Sequence, residues 1–97
     1  MIEYSVQDNA LVCAFQGRMD TANCQMIGDE LSRKVAEARL PVIFDLQNVD
    51  YVSSMFLSLC LKIFKQVGTG NLSLRHIQPN VKKVLKIANL DALIGPG

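Results

Sequence analysis

The chain has 97 residues, 49% hydrophobic and 20% charged, with ten Lys or Arg against nine Asp or Glu for a net charge of +1. That length supports one domain, residues 1–97, able to bury a core of its own, and the composition excludes a disordered chain. The balanced charge gives no basic stripe for nucleic acid, Lys82, Lys83 and Lys86 being the nearest approach to one.

The longest apolar run, Met55 to Leu61, is broken by Ser58 and followed by Lys62, well short of the roughly 20 residues of a membrane span. The opening "MIEYSVQDNALVCAF" lacks the basic and apolar regions of a secretory signal. A cytoplasmic protein without membrane insertion is therefore expected. Cys13, Cys24 and Cys60 are widely spaced among apolar neighbours, as reduced core thiols are, and form no CxxC pair for redox or zinc chemistry.

"IEYSV" alternates, breaks at Asp8-Asn9, and "ALVCAFQ" resumes, which predicts a hairpin ended by Gly17. Asp20 or Thr21 then caps a helix whose apolar face is Cys24, Ile27, Leu31, Val35 and Ala38, with Glu30, Arg33, Lys34 and Glu37 toward water. Pro41 punctuates. "VIFDL" is almost wholly apolar, as a strand is that lies mid-sheet or is covered on both sides. After the polar break "QNVD" comes a helix led by Ser53 and Ser54. Phe56, Leu59, Cys60, Ile63 and Val67 form one stripe of it, and Leu57, Leu61 and Phe64 a second. Gly68 and Gly70 stop it, and "NLSLRHI" alternates as a further strand. Pro79 opens a last helix with a face of Val81, Val84, Leu85 and Ala88, which Asn89 ends in a left-handed conformation. "DALIG" is expected as a short edge strand.

Two strands followed by helix, strand, helix, strand, helix make a small α/β layer whose later strands run parallel. Function in such sheets lies beyond the carboxyl ends of the strands, where loops enter helices. Ser53 and Ser54 stand there, just past "VIFDL".

An enzyme is not expected. The single histidine, His76, has no cysteine or carboxylate close in sequence and reads as a structural residue of a strand. No Walker loop, GxGxxG or metal-ligand spacing occurs, so no cofactor and no metal are expected. Asp20, Asp45 and Asp50 could meet at the loop edge, but read first as caps and turns. Ser53 alone would cap its helix by accepting from a free amide, worth ~1 kcal/mol. Ser54, one residue on, would carry a hydroxyl at the positive end of the helix, where a phosphate is stabilised by the dipole and free amides.

"GRMDTANC" entering the first helix, "VIFDLQNVDYVSS" entering the second, and "HIQPNVKKVLKIANLDALI" closing the chain together resemble the STAS domain. That is the family of anti-sigma factor antagonists and sulphate-transporter C-terminal domains, and nearly the whole chain is covered. The resemblance implies a mixed sheet of four to five strands with helices mainly on one face. In that family an Asp-Ser-Ser/Thr-Gly-Leu segment carries a serine phosphorylated by a partner kinase that is also the anti-sigma factor. Ser53 stands at the family acid, Ser54 at the phosphorylated serine, Met55 at the second hydroxyl residue, Phe56 at the glycine and Leu57 at the leucine. Asp20 matches the acid that opens the first helix.

The resemblance thus implies a regulatory binding module that docks on a switch-kinase anti-sigma factor through Asp20, Ser53, Ser54, Met55 and Phe56. Phosphorylation at Ser54, with Ser53 as the fallback, would release it, and a PP2C-type phosphatase would reset it. Phe56 serves equally as surface patch or as core. Serine in place of the family acid leaves a second reading open, a constitutive assembly subunit in a signalling scaffold or lipid-transport complex that uses no phosphate. Two geometric expectations follow: at least one of Met55 and Phe56 is exposed, and Asp20 shares an edge with the two serines.

Overall fold

Asp8 and Asn9 both adopt the left-handed conformation, φ 51° and 63°. Two such residues make the turn whose twist matches that of flanking strands, and short polar side chains tolerate it. They join β1 (Ile2–Gln7) to β2 (Ala10–Gln16) as an antiparallel hairpin that sets Tyr4 against Cys13 and Val6 against Leu11. The computed structural model describes residues 1–95. Beyond the hairpin it places α1 (Thr21–Ala38), β3 (Val42–Asn48), α2 (Ser54–Val67), β4 (Leu72–Arg75) and α3 (Pro79–Ile87). The sheet order is β1-β2-β3-β4, with β3 parallel to both β2 and β4.

One face of the sheet carries the core. Leu11, Cys13, Phe15, Val42, Phe44, Leu46, Leu72 and Leu74 alternate along three strands and are all buried. They join Cys24, Leu31 and Val35 of α1, Phe56, Cys60 and Ile63 of α2, and Val81 and Leu85 of α3 in a single cluster. Between them on the strands, Val12, Ala14, Ile43, Asp45, Ser73 and Arg75 are only half-buried and point to the opposite face. "VIFDL" is thus an inner strand with one open face, and Asp45 is the residue that marks which face is open.

α1 and α2 lie side by side, with Ser32 Oγ donating to Gln66 Oε1 at 2.8 Å and Gln66 Nε2 donating to the Ser32 carbonyl at 2.9 Å. In the main stripe of α2 Phe56, Leu59, Cys60 and Ile63 are buried and Val67 half-buried, while the second stripe grades outward, Leu57 and Phe64 half-buried and Leu61 exposed. Gly68 closes the helix at φ 91°.

Three expectations change. Val84 is 36% exposed instead of buried, because at about 100° per residue it stands about 60° to one side of Val81 while Leu85 stands about 40° to the other. "DALIG" is not a strand: Asp91–Leu93 form a 3-10 turn that buries Leu93, and only Ile94 bridges to Leu74. His76 lies just past β4, left-handed at φ 56° and exposed, instead of within the strand.

Candidate functional site

Past the ends of β2 and β3 the chain makes one more parallel bridge, Met19 to Val52. Met19 N–H donates to the Tyr51 carbonyl at 3.0 Å, and Ser53 N–H returns to the Met19 carbonyl at 2.9 Å. This pairing brings the entries to α1 and α2 to a single edge of the domain. At the first, Asp20 caps α1 by accepting from Asn23 N–H at 2.9 Å through Oδ1. At the second, Ser53 caps α2 by accepting from Phe56 N–H at 3.4 Å, while its hydroxyl donates to the Met19 carbonyl at 2.9 Å. Asp20 and the serine pair therefore share an edge, as expected.

The two serines have separate duties. Ser53 is half-buried with both its donor and its acceptor engaged. Ser54 is the first residue of α2, exposed, and no protein hydrogen bond to its hydroxyl is found among the described residues. The first turn of α2 holds no acidic residue, so the unpaired amides and the positive end of the dipole are met there only by the Ser53 oxygen.

Phe56 is corrected. It has no exposed surface, and its ring meets Phe15 edge-on at 5.5 Å, as Phe15 meets Phe44 at 4.9 Å. Two positions into the helix from Ser54, its side chain points into the sheet, so it supports the edge from beneath and presents no surface of its own there. Met55 remains half-buried at the surface beside Ser54.

Two neighbours on this edge carry no signal in the sequence by themselves. The Arg18 guanidinium lies 4.1 Å from the centre of the Tyr51 ring, a cation–π contact, and the Arg18 carbonyl accepts from Asn23 Nδ2 at 2.8 Å. Each stands two positions before a residue already of interest, Arg18 before Asp20 in "GRMD" and Tyr51 before Ser53 in "DYVSS". Only the Met19–Val52 bridge shows that these two segments meet. Across the loop, Asn80 Nδ2 donates to the Asp50 carbonyl at 2.6 Å and ties the start of α3 to the same region.

Asp20, Asp45 and Asp50 do not form one site. Asp20 caps α1, Asp50 engages through its backbone, and Asp45 on the open sheet face meets His76 Nδ1 at 3.2 Å. His76 thus has a carboxylate partner 31 residues away in sequence. Among the described residues no three His, Cys, Asp or Glu side chains are grouped to hold a metal ion. Burial pushes the Cys13 thiol up to about 12 and raises those of Cys24 and Cys60. All three cysteines are free and in the core, where a protonated thiol is unreactive.

A family model of the STAS domain matches residues 1–96. The chain belongs to the STAS domain family. It is 32% identical over 83 residues to BtrV of Bordetella bronchiseptica, named as a candidate anti-sigma factor antagonist, covering 84% of this chain and 72% of that protein. It is also 32% identical over 91 residues to a STAS-domain containing protein of Pseudomonas aeruginosa, covering 92% of this chain and 89% of that one. Among solved structures, SpoIIAA, an anti-sigma factor antagonist in its unphosphorylated form, superposes with a TM-score of 0.86 over the whole of this chain and 88% of its own. At 17% identity that likeness is one of fold: a four-stranded mixed sheet with three helices is the STAS architecture. No helix among the described residues is long and apolar enough to cross a membrane.

Proposed function

We propose that this STAS domain is an anti-sigma-factor-antagonist-like binding module of a partner-switching pathway in the cytoplasm. It docks on a switch-kinase anti-sigma factor through the edge formed by Asp20, Ser53, Ser54 and Met55, with Arg18 and Tyr51 beside them. The observation that carries this reading is the division of labour between the serines: Ser53 is consumed as the cap and Ser54 keeps a free, exposed hydroxyl at the positive end of α2. Transfer of the ATP γ-phosphoryl group forms the Ser54 Oγ–P bond, releases ADP and frees the hydroxyl proton. The product carries about −1.5 to −2 charges in what was a half-apolar surface, which a dry interface cannot solvate. The helix terminus itself favours that charge, so the fold is kept while the complex is lost. Hydrolysis by a PP2C-type phosphatase resets the module. The relatives' names support the general class.

The test is incubation with ATP and each histidine-kinase-like ATPase of the same genome, read by intact mass and peptide mapping, with affinities for the same ATPases measured in parallel. One phosphate on Ser54 is expected, none in Ser54→Ala, and partner affinity retained in Ser54→Ala but weakened in Ser54→Asp. Ser54→Asp should hold or gain thermal stability, since an exposed negative group at the first turn gains ~0.3–1 kcal/mol. Label on Ser53 instead would shift the site by one residue. A partner that binds Ser54→Asp as tightly as the unmodified protein, with no label on either serine, would overturn the switch. It would favour the constitutive assembly subunit, for which the serine at the family's acid position speaks.

A further inference from the structure

The sheet face turned away from the helices forms a trough of about 380 Å³. Val12 and Ile43 floor its middle, Asp8 stands at the end where the parallel strands begin, and Asp45, Arg75 and His76 stand where they end. The β3–β4 register sets Asp45 directly opposite Arg75 on this face, so an Asp–Arg ion pair is the arrangement the topology invites. It does not form. Asp45 Oδ1 instead meets His76 Nδ1 at 3.2 Å and accepts from Gln47 N–H at 3.1 Å. The Asp45 carboxylate is thus met by His76, not by Arg75. Arg75 is left half-buried, with an Nε that is shielded from water and has no hydrogen-bond partner among the described residues. A buried donor of this kind is ordinarily answered by a water or a ligand.

We propose that this trough binds a small organic anion, its carboxylate or phosphate taken by the Arg75 guanidinium and its apolar body laid over Val12 and Ile43. Guanidinium is a weakly hydrated planar fork suited to such oxyanions, and with no bond from Asp45 to hold it, swinging toward a ligand sacrifices no ion pair. The volume lies in the range of small-molecule sites, about 300–1,000 Å³. Asp8 at the far end disfavours a second negative group there, so the fitting ligand has one anionic head and an uncharged tail. The site goes beyond the partner-switching reading and shares no residue with the Asp20–Ser54 edge.

The test is titration of the isotope-labelled protein with octanoate, octyl phosphate, acetate and inorganic phosphate, followed by amide chemical shifts. Octanoate or octyl phosphate should give saturable shifts centred on Val12, Ile43, Ser73 and Arg75, with acetate and inorganic phosphate much weaker because they lack the tail. The tighter of the two long ligands names the head group, and either supports the site. Arg75→Gln should weaken binding by about tenfold or more, the usual loss when a charged hydrogen-bonding partner is removed. Arg75→Lys, which keeps the charge and loses the fork, should fall between and serves if Arg75→Gln fails to fold. Absence of saturable shifts, shifts undiminished in both variants, or shifts centred on the helices would overturn the proposal.

Discussion

Truncating Phe56 to alanine separates a core residue from a docking residue in one measurement. The ring has no exposed surface and stands edge-on between the floor of the sheet and the start of α2, 5.5 Å from Phe15, which meets Phe44 at 4.9 Å. Phe56→Ala therefore removes a buried ring and leaves a cavity against the Phe15 ring, a change that costs roughly 3–5 kcal/mol. The lost edge-to-face contact is about 0.5–1.5 kcal/mol of that. Domains of this kind hold only about 5–15 kcal/mol in total, so the variant should be marginal. Urea unfolding followed by circular dichroism reads the loss directly. With a slope of about 1–3 kcal/mol per molar urea, the midpoint should fall by at least about 1 M. Phe56→Leu, which keeps most of the volume, should lose roughly half as much and stay folded enough for comparison. A loss under about 1 kcal/mol in Phe56→Ala with an unchanged slope is what a surface substitution gives. That result would refute the burial and return Phe56 to the docking surface.

Ser53→Ala should lose about 1 kcal/mol, up to ~2, because it strips the side-chain acceptor from Phe56 N–H and the hydroxyl's bond to the Met19 carbonyl. Ser54→Ala should stay within about 0.5 kcal/mol of the parent, and equal losses in thermal melts would contradict the separate duties of the two serines. Stability should fall on the alkaline side. Burial holds the Cys13 thiol up to about 12 against 9.0, raises Cys24 and Cys60, and, ahead of repulsion from Glu30, holds the Tyr4 hydroxyl up to about 12 against 10.0. These groups release their protons first in the unfolded chain, so the stability they contribute is whole below about pH 9. It is lost as pH climbs toward about 12, by up to about 1.4 kcal/mol per pH unit for each of the deeply buried Cys13 and Cys60, with smaller contributions from Cys24 and the half-buried Tyr4. A urea midpoint flat from about pH 7.5 to 8.5 and falling above about 9 is expected, and one unchanged at about pH 11 would contradict the buried thiols.

The placement of Ser54 at the exposed start of α2, beside the capping Ser53, was legible because a hydroxyl beside a capping residue is a local pattern, carried by two adjacent positions. Phe56 was not. Its stripe with Leu59, Cys60 and Ile63 pointed inward and its place next to the serines pointed outward, and helical periodicity alone does not say how deep the first turn of a helix sits. Arg18 and Tyr51 were silent for a related reason: nothing in either segment announces the other, and they meet only because Met19 bridges Val52.

By itself the sequence determined what depends on neighbours a few residues apart. The Asp8-Asn9 turn, the Asp20 and Ser53 caps, Pro79 at the start of α3, Gly68 and Asn89 at helix ends and the inward stripes of α1 and α2 all follow from backbone preferences and the 3.6-residue period, which act within one or two turns of chain. Tertiary structure decided what depends on which strands become neighbours. It buried Phe56 against Phe15, left one face of the sheet open, and joined the two helix entries through Met19 and Ser53. It also turned Asp45 to His76 and left the Arg75 Nε without a hydrogen-bond partner among the described residues. Those contacts link residues about 30 or more apart in the chain, and strand register, set by the packing of the whole sheet against its helices, is what brings them within reach.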